Sequence, residues 1–337
     1  MSTSTLDGAA PSALRLLPSG EAVRWLAGGL LASAAWLGLS ALLRFWPDKP
    51  DADWAYTGQL AAVALAFALA LLLATVASPW LLPLQRVRRV APWLTLIALF
   101  LSVWEIATAK LALLPMPFFP PPPALLEVLV DDWPRLGESV LASFRLLAGG
   151  YLIGATVGFT AGVAIGWSRA VGYWIHPILR FIGPLPATAW LPLAFFVFPS
   201  SWSASTFLIA LATGFPVTVL TWSGVASVNS TYYDVARTVG ASRRFLVRKV
   251  AIPAAMPYVF VGLFMGLGNS FAVLVVAEML GVKAGLGWYL QWAQGWAAYA
   301  NMYAALLIMA LACSGLITLL FRLRDRLLSW QKGLVRW

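Results

Sequence analysis

Apolar blocks of about 20 residues recur along this chain of 337 residues. Each block, wound as a helix, is long enough to cross a hydrocarbon core about 30 Å thick. A helix also keeps its backbone hydrogen bonds internal, which lipid requires. The expected fold is therefore all-α and integral to a membrane. Eight spans can be drawn, at about 23–45, 58–82, 92–114, 139–167, 174–198, 203–224, 254–281 and 303–322. Only 11% of residues are charged and 61% are hydrophobic, against about 25% and 45–50% in an ordinary soluble domain. No soluble domain fits between the blocks.

The formal charge of +10 does not point to nucleic acid, because of where it sits. Arg86, Arg88 and Arg89 fall in one short loop. Arg237, Arg243, Arg244, Arg248 and Lys249 fall in another, and Arg322, Arg324, Arg326, Lys332 and Arg336 in the tail. The intervening loops carry Asp48, Asp51 and Asp53, then Glu127, Asp131, Asp132 and Glu138. That alternation is the positive-inside pattern. It places both termini in the cytoplasm, and eight spans satisfy that. Residues 1–20 are polar and the first apolar run is too long for a cleavable signal core. Cys313 is the only cysteine, so no intrachain disulfide forms.

Gly150, Gly154, Gly158, Gly162 and Gly166 recur every four residues in the fourth span, and Gly262 and Gly266 repeat the device in the seventh. Small residues at this spacing let two helices approach closely. Pro184, Pro186 and Pro192 interrupt the fifth span. Each removes a backbone donor, and such breaks persist in a membrane only where protein or a water-filled cavity satisfies the freed groups. Either a kinked helix end or a bent helix lining a path accounts for them. Phe118–Pro123 reads as a proline-rich linker, followed by a short interfacial helix at Ala124–Val130.

One polar, basic stretch stands apart: DVARTVGASRRFLVRKVAIP, from Asp234 to Pro253. Physically, residues 232–249 suit two short helices around a turn. Asp234 is favoured near a helix N-terminus. Gly240 suits the left-handed conformation that closes a helix, and Ser242 can cap the next one. Arg243 and Arg244 lie on that second helix, and Pro253 is expected to separate it from the following span. The segment resembles the cytoplasmic loop by which permeases of ABC importers dock on their ATPase. Asp234, Ala236, Gly240, Val250, Ile252 and Pro253 carry the match. Asp234 for Glu and Val235 for Ala are mild departures.

The likeness extends over residues 92–337, through FPPPPALLEVL (119–129), PLPATAWLPL (184–193), VVAEML (275–280) and GLGWYL (285–290). It is similar to the permease group for nitrate, taurine, aliphatic sulfonate and bicarbonate importers. That resemblance implies a core of about six spans within 92–325, with the coupling loop at 232–253 and a basic tail at 326–337. Residues 1–91, holding two additional spans, depart from it. It further implies a bacterial inner-membrane protein acting as a homodimer. Its partners would be ABC ATPase subunits, which bind ATP and Mg, and a periplasmic substrate-binding protein. Asp234, Ala236, Gly240, Ala241, Ser242, Arg243, Arg244 and Pro253 are then the ATPase-coupling residues.

The chain has no phosphate-binding loop of the form G-x-x-x-x-G-K-[ST], so nucleotide chemistry belongs to a partner. Neither a catalytic constellation nor a metal-ligand spacing is evident, and His176, the sole histidine, sits at a span edge. No cofactor is expected on this chain. Ionisable residues inside spans are costly, which singles out Glu105, Lys110, Arg145 and Glu278. They either pair with one another to fix helix register or offer an anion-accepting vestibule through Lys110 and Arg145. Asn269, with Pro186 and Trp190 of the broken span, completes the candidate path. The expected function is an importer permease for a small anion. An uncharged or aromatic solute, or a self-contained secondary carrier, are the alternatives. An inverted repeat, which the carrier would need, is not evident.

Overall fold

The computed structural model describes residues 20–49, 54–77 and 85–331. Asp51, Asp53, Lys332 and Arg336 lie outside them, as do the side chains of Arg86, Arg88 and Arg89. Every regular element among the described residues is helical. In order these are α1 (Gly20–Phe45), α2 (Thr57–Ala77), α3 (Gln85–Glu105), α4 (Pro122–Asp131), α5 (Trp133–Trp167), α6 (Arg169–Ile182) and α7 (Leu191–Val197). They continue as α8 (Ser201–Ala226), α9 (Ser230–Thr238), α10 (Arg243–Phe245), α11 (Ile252–Leu280), α12 (Leu286–Gly295) and α13 (Tyr299–Leu327). Among the described residues, seven stretches are long and apolar enough to span a membrane, or eight if a bent pair counts as one span. The protein is a multi-pass membrane protein.

The chain divides at Glu127/Val128 rather than at 91/92. Within the first unit α3 packs on α1. Small residues allow it: Ala32, Ala91 and Ala98 are buried, and Trp36 Nε1 donates to the Leu94 carbonyl at 3.1 Å. Ser40 Oγ ties α1 to the Ala61 carbonyl of α2 at 2.8 Å. α3 ends in a π-helical turn, Ile106–Lys110, which carries Lys110 into the α1–α2 loop. There its ammonium donates to the Trp46 carbonyl at 2.6 Å and to Asp48 Oδ1 at 2.5 Å. Glu105 Oε1 lies 3.7 Å away.

In the second unit α8 is the centre, with 61% of its most apolar stretch buried, against 17% for α13. The glycine ladder explains how. A Cβ on Gly158 would stand 2.6 Å from the Gly214 carbonyl oxygen, and one on Gly162 would stand 2.7 Å from that of Thr218. α5 therefore lies backbone to backbone on α8. Gly262 and Gly266 of α11 meet Pro216, Val217 and Thr213 on another face of α8. Without side chains in the way, dispersion and polar contact replace the hydrophobic drive that lipid cannot supply.

The fifth predicted span is two helices meeting at 87°. α6 ends at Gly183, and residues 187–190 form a 3₁₀ turn into α7. Pro184 and Pro186 fall in the break, whereas Pro192 sits in the first turn of α7, where its missing N–H is harmless. The same tolerance places Pro122 and Pro123 inside α4 rather than in the linker expected for them.

Candidate functional site

The basic interruption forms an elbow. Asn229 caps α9 by accepting from the Thr231 N–H at 2.9 Å. Asp234, expected near a helix start, lies in the middle of α9 and pairs with Arg237 at 3.2 Å. α9 closes as its residues dictate. Gly240 adopts φ +79°; its N–H donates to the Arg237 carbonyl at 2.9 Å, and the Ala241 N–H donates to that of Ala236 at 3.1 Å. These two bonds are those of a Schellman closure. Ser242 Oγ then accepts from the Phe245 N–H at 3.4 Å and starts α10.

Pro253 does not separate α10 from the span. α10 passes through a π-helical turn, Leu246–Ala251, straight into α11, giving one continuous helix, Arg243–Leu280. The wider turn just ahead of Pro253 makes room where its ring would otherwise strike the preceding carbonyl.

α9 has an anchored side and a free one. Tyr233 meets Trp167 edge to face at 5.8 Å beside buried Val225, Ala251 and Ala255, and that burial raises its phenol pKa. Tyr232, Val235 and Val239 face outward, 64%, 63% and 81% exposed. Arg243 and Arg244 are exposed beside them, and a side chain at Gly240 would meet open space. The elbow thus presents an exposed apolar stripe with exposed arginines beside it.

A cavity of about 370 Å³ lies where the broken span meets α8 and α11. Pro186, Thr188, Phe215, Pro216 and Asn269 are among its lining residues. Asn269 is exposed there. Pro216 has no N–H to give the Ala212 carbonyl four residues earlier, and Ala212 lines the same space. Trp190 does not line it. That residue packs on the core cluster around Leu208 and Val273, and its indole N–H is buried without an acceptor.

Arg145 is exposed on α5 and is not among the residues lining this cavity. Lys110 is held by Asp48 and the Trp46 carbonyl, as described above. Glu278 is 1% exposed and meets no cation: its Oε2 accepts from Ser143 Oγ at 2.9 Å and from the Gly287 N–H at 2.8 Å. Ser143 Oγ in turn accepts from the Leu286 N–H at 2.8 Å. The carboxylate thus caps the N-terminus of α12, where the helix dipole favours a negative charge. Gly285 (φ +109°) and Gly287 leave it the room, since a Cβ on either would collide with it. His176 packs on the Trp222 ring at 4.2 Å.

Ser143 and the whole of α12 escaped sequence reasoning. VVAEML and GLGWYL are close in sequence, but nothing in either string names a serine on α5 as their third partner.

The second unit is thus a multi-span helical body with a largely apolar cavity that Thr188 and Asn269 make partly polar, and with a projecting elbow. Residues 150–332 match the family described as the binding-protein-dependent transport system inner membrane component, and the chain belongs to that family. It is 28% identical over 256 residues to the nitrate import permease protein NrtB of Synechococcus elongatus, covering 72% of this chain and 89% of that one. It is 31% identical over 199 residues to the bicarbonate transport system permease protein CmpB of the same organism, covering 58% and 67%. A chain of the MetNI methionine ABC transporter in inward-facing conformations superposes at TM-score 0.49 and 15% identity, covering 62% of this chain and 99% of that one. The protein is an ABC importer permease subunit, a transport component rather than an enzyme.

Proposed function

We propose that this chain forms, with a second copy of itself, the path for a small anion such as nitrate, bicarbonate, taurine or another sulfonate. The relatives named above carry nitrate and bicarbonate in their names, which supports the anion class. Its proposed setting is a bacterial cytoplasmic membrane, with both termini and the α9–α10 elbow on the cytoplasmic side. There Asp234, Ala236, Gly240, Ala241, Ser242, Arg243 and Arg244 meet an ABC ATPase that binds ATP and Mg. A periplasmic binding protein delivers solute at the other side.

The observation that carries this reading is the face holding the cavity. Exposed Asn269 lies on it beside Leu185 and Pro186, and a polar amide such as that of Asn269 is costly to turn toward lipid. A second copy and a wet path between the two would cover that face. The absence of an internal repeat in the sequence supports two chains rather than one.

The test joins two measurements. Purified with its ATPase, the wild-type chain is expected to retain it. Gly240→Val puts a β-branched residue at positive φ and is expected to reduce retention about tenfold. Uptake of labelled nitrate or bicarbonate by cells carrying the complete transporter is expected to fall with it. Full retention in the variant would sink the docking assignment. An uncharged or aromatic solute is the second reading, favoured by a cavity whose lining holds no cation and includes the Ala212 position. Competition by neutral solutes, with none by anions, would select it.

A further inference from the structure

Another cavity, of about 660 Å³, opens on the anchored side of α9. The outward stripe of Tyr232, Val235 and Val239 takes no part in its lining. Part of that lining is apolar, with Trp167 at the end of α5, Val225 near the end of α8 and Leu246 just beyond α10. The rest includes two cations and a hydroxyl, those of Arg237, Arg243 and Tyr233. None of the described lining residues is acidic. Arg237 gives one nitrogen to Asp234 at 3.2 Å, and a guanidinium has further donors to offer. Arg243 has no carboxylate partner among the described residues. Burial raises the pKa of the Tyr233 phenol, so it stays a donor.

Two spanning helices, α5 and α8, end at this cleft, so it lies where hydrocarbon gives way to water. Trp167 is the kind of side chain that favours this level. We propose that the cleft holds the phosphate headgroup of an anionic phospholipid, and that this headgroup braces the elbow against the ends of α5 and α8. Arg237 precedes the Gly240 closure and Arg243 follows it, so one phosphate between them spans the turn. Magnitude decides between a lipid and a dissolved oxyanion. Each arginine beside an anionic surface is worth about fivefold, and two together about 30-fold. That is too little to draw a hydrated ion out of water. A lipid is already confined to the membrane plane at high local concentration, and the same preference then fills the cleft. The volume agrees, being far larger than a bare oxyanion needs. Val225 and Leu246 suit the glycerol and first methylenes that follow the phosphate. The site needs only that α5 and α8 span a membrane, whatever the solute.

The test counts, by native mass spectrometry, the lipids that the full chain retains from mixed micelles of phosphatidylglycerol and phosphatidylcholine. Wild type is expected to prefer phosphatidylglycerol about 30-fold. Arg237→Gln and Arg243→Gln should each lower that preference about fivefold. Tyr233→Phe keeps the ring on Trp167 and should lower it about threefold. Arg322→Gln removes an exposed arginine outside the cleft and should leave the preference unchanged. Hydrogen exchange of the α9 amides in nanodiscs reads the brace. Wild type should exchange more slowly in phosphatidylglycerol than in phosphatidylcholine, and Arg237→Gln should show no difference. Unchanged retention in both Arg237→Gln and Arg243→Gln overturns the site. So does an equal loss in Arg322→Gln, which marks a general effect of surface charge. Equal exchange of wild type in the two lipids overturns the brace. Displacement of phosphatidylglycerol by inorganic phosphate assigns the cleft to soluble anions and overturns the lipid as its occupant.

Discussion

Among the described residues, each unit of the chain buries one glutamate completely, Glu105 in one and Glu278 in the other, and the two are held in opposite ways. Glu105 in the first unit is 0% exposed. Neither of its oxygens accepts a hydrogen bond, and it lies 3.7 Å from the Lys110 ammonium. Glu278 in the second unit is 1% exposed and has no cation; its Oε2 accepts from a hydroxyl and a backbone N–H, while its Oε1 has no partner. The first carboxylate depends on a charge, the second on fixed dipoles. Charge compensation is long in range and tolerant of geometry, so it suits a cluster that holds a loop. Directed bonds fail with small displacements, so they suit a junction where two helices must keep register.

Substitutions can break or sharpen that contrast. The largest effect is expected for Lys110→Met, which leaves buried Glu105 and partly buried Asp48 without their shared cation. Breaking a buried ion pair in this way costs about 3–5 kcal/mol, to be read as a large fall in the melting temperature of the detergent-solubilised protein. Glu278→Ala is expected to cost less, about 1–3 kcal/mol, because it leaves the Gly287 N–H and Ser143 hydroxyl without their acceptor but strands no charge. Glu105→Gln should be the mildest, within about 1 kcal/mol, since Lys110 and Asp48 then balance. If the glutamine at 105 proves as damaging as the methionine at 110, the charge-compensation account of the first unit fails.

Much of this was legible in the sequence, for local reasons. The spans follow from block length, and the glycine ladder from its period of four. The closure at Gly240 and the start at Ser242 follow from conformational preferences of single residues. The path residues separate by range. Pro186 and Asn269 line the cavity together, and their types alone marked them as unusual within spans. Trp190, four residues beyond the second proline of that break, turns into the core instead. Lys110 and Asp48 are 62 positions apart, and Ser143 and Glu278 are 135 apart. No local pattern announces such pairs. The expectation that Pro253 ends a helix failed because a π-helical turn accommodates the ring, and a turn of that kind has no simple sequence signature.

The fused helix from Arg243 to Leu280 has 38 residues, so it is about 57 Å long, nearly twice the thickness of a hydrocarbon core. It is a lever whose fulcrum lies in the membrane. Pivoted near its middle, a tilt of about 10° would swing each tip by about 5 Å, in opposite directions. A displacement of that size at the elbow is comparable to the width of a small polyatomic ion. The far tip would then move as much as the near one, so a push at the elbow would be felt at the opposite end of the same helix.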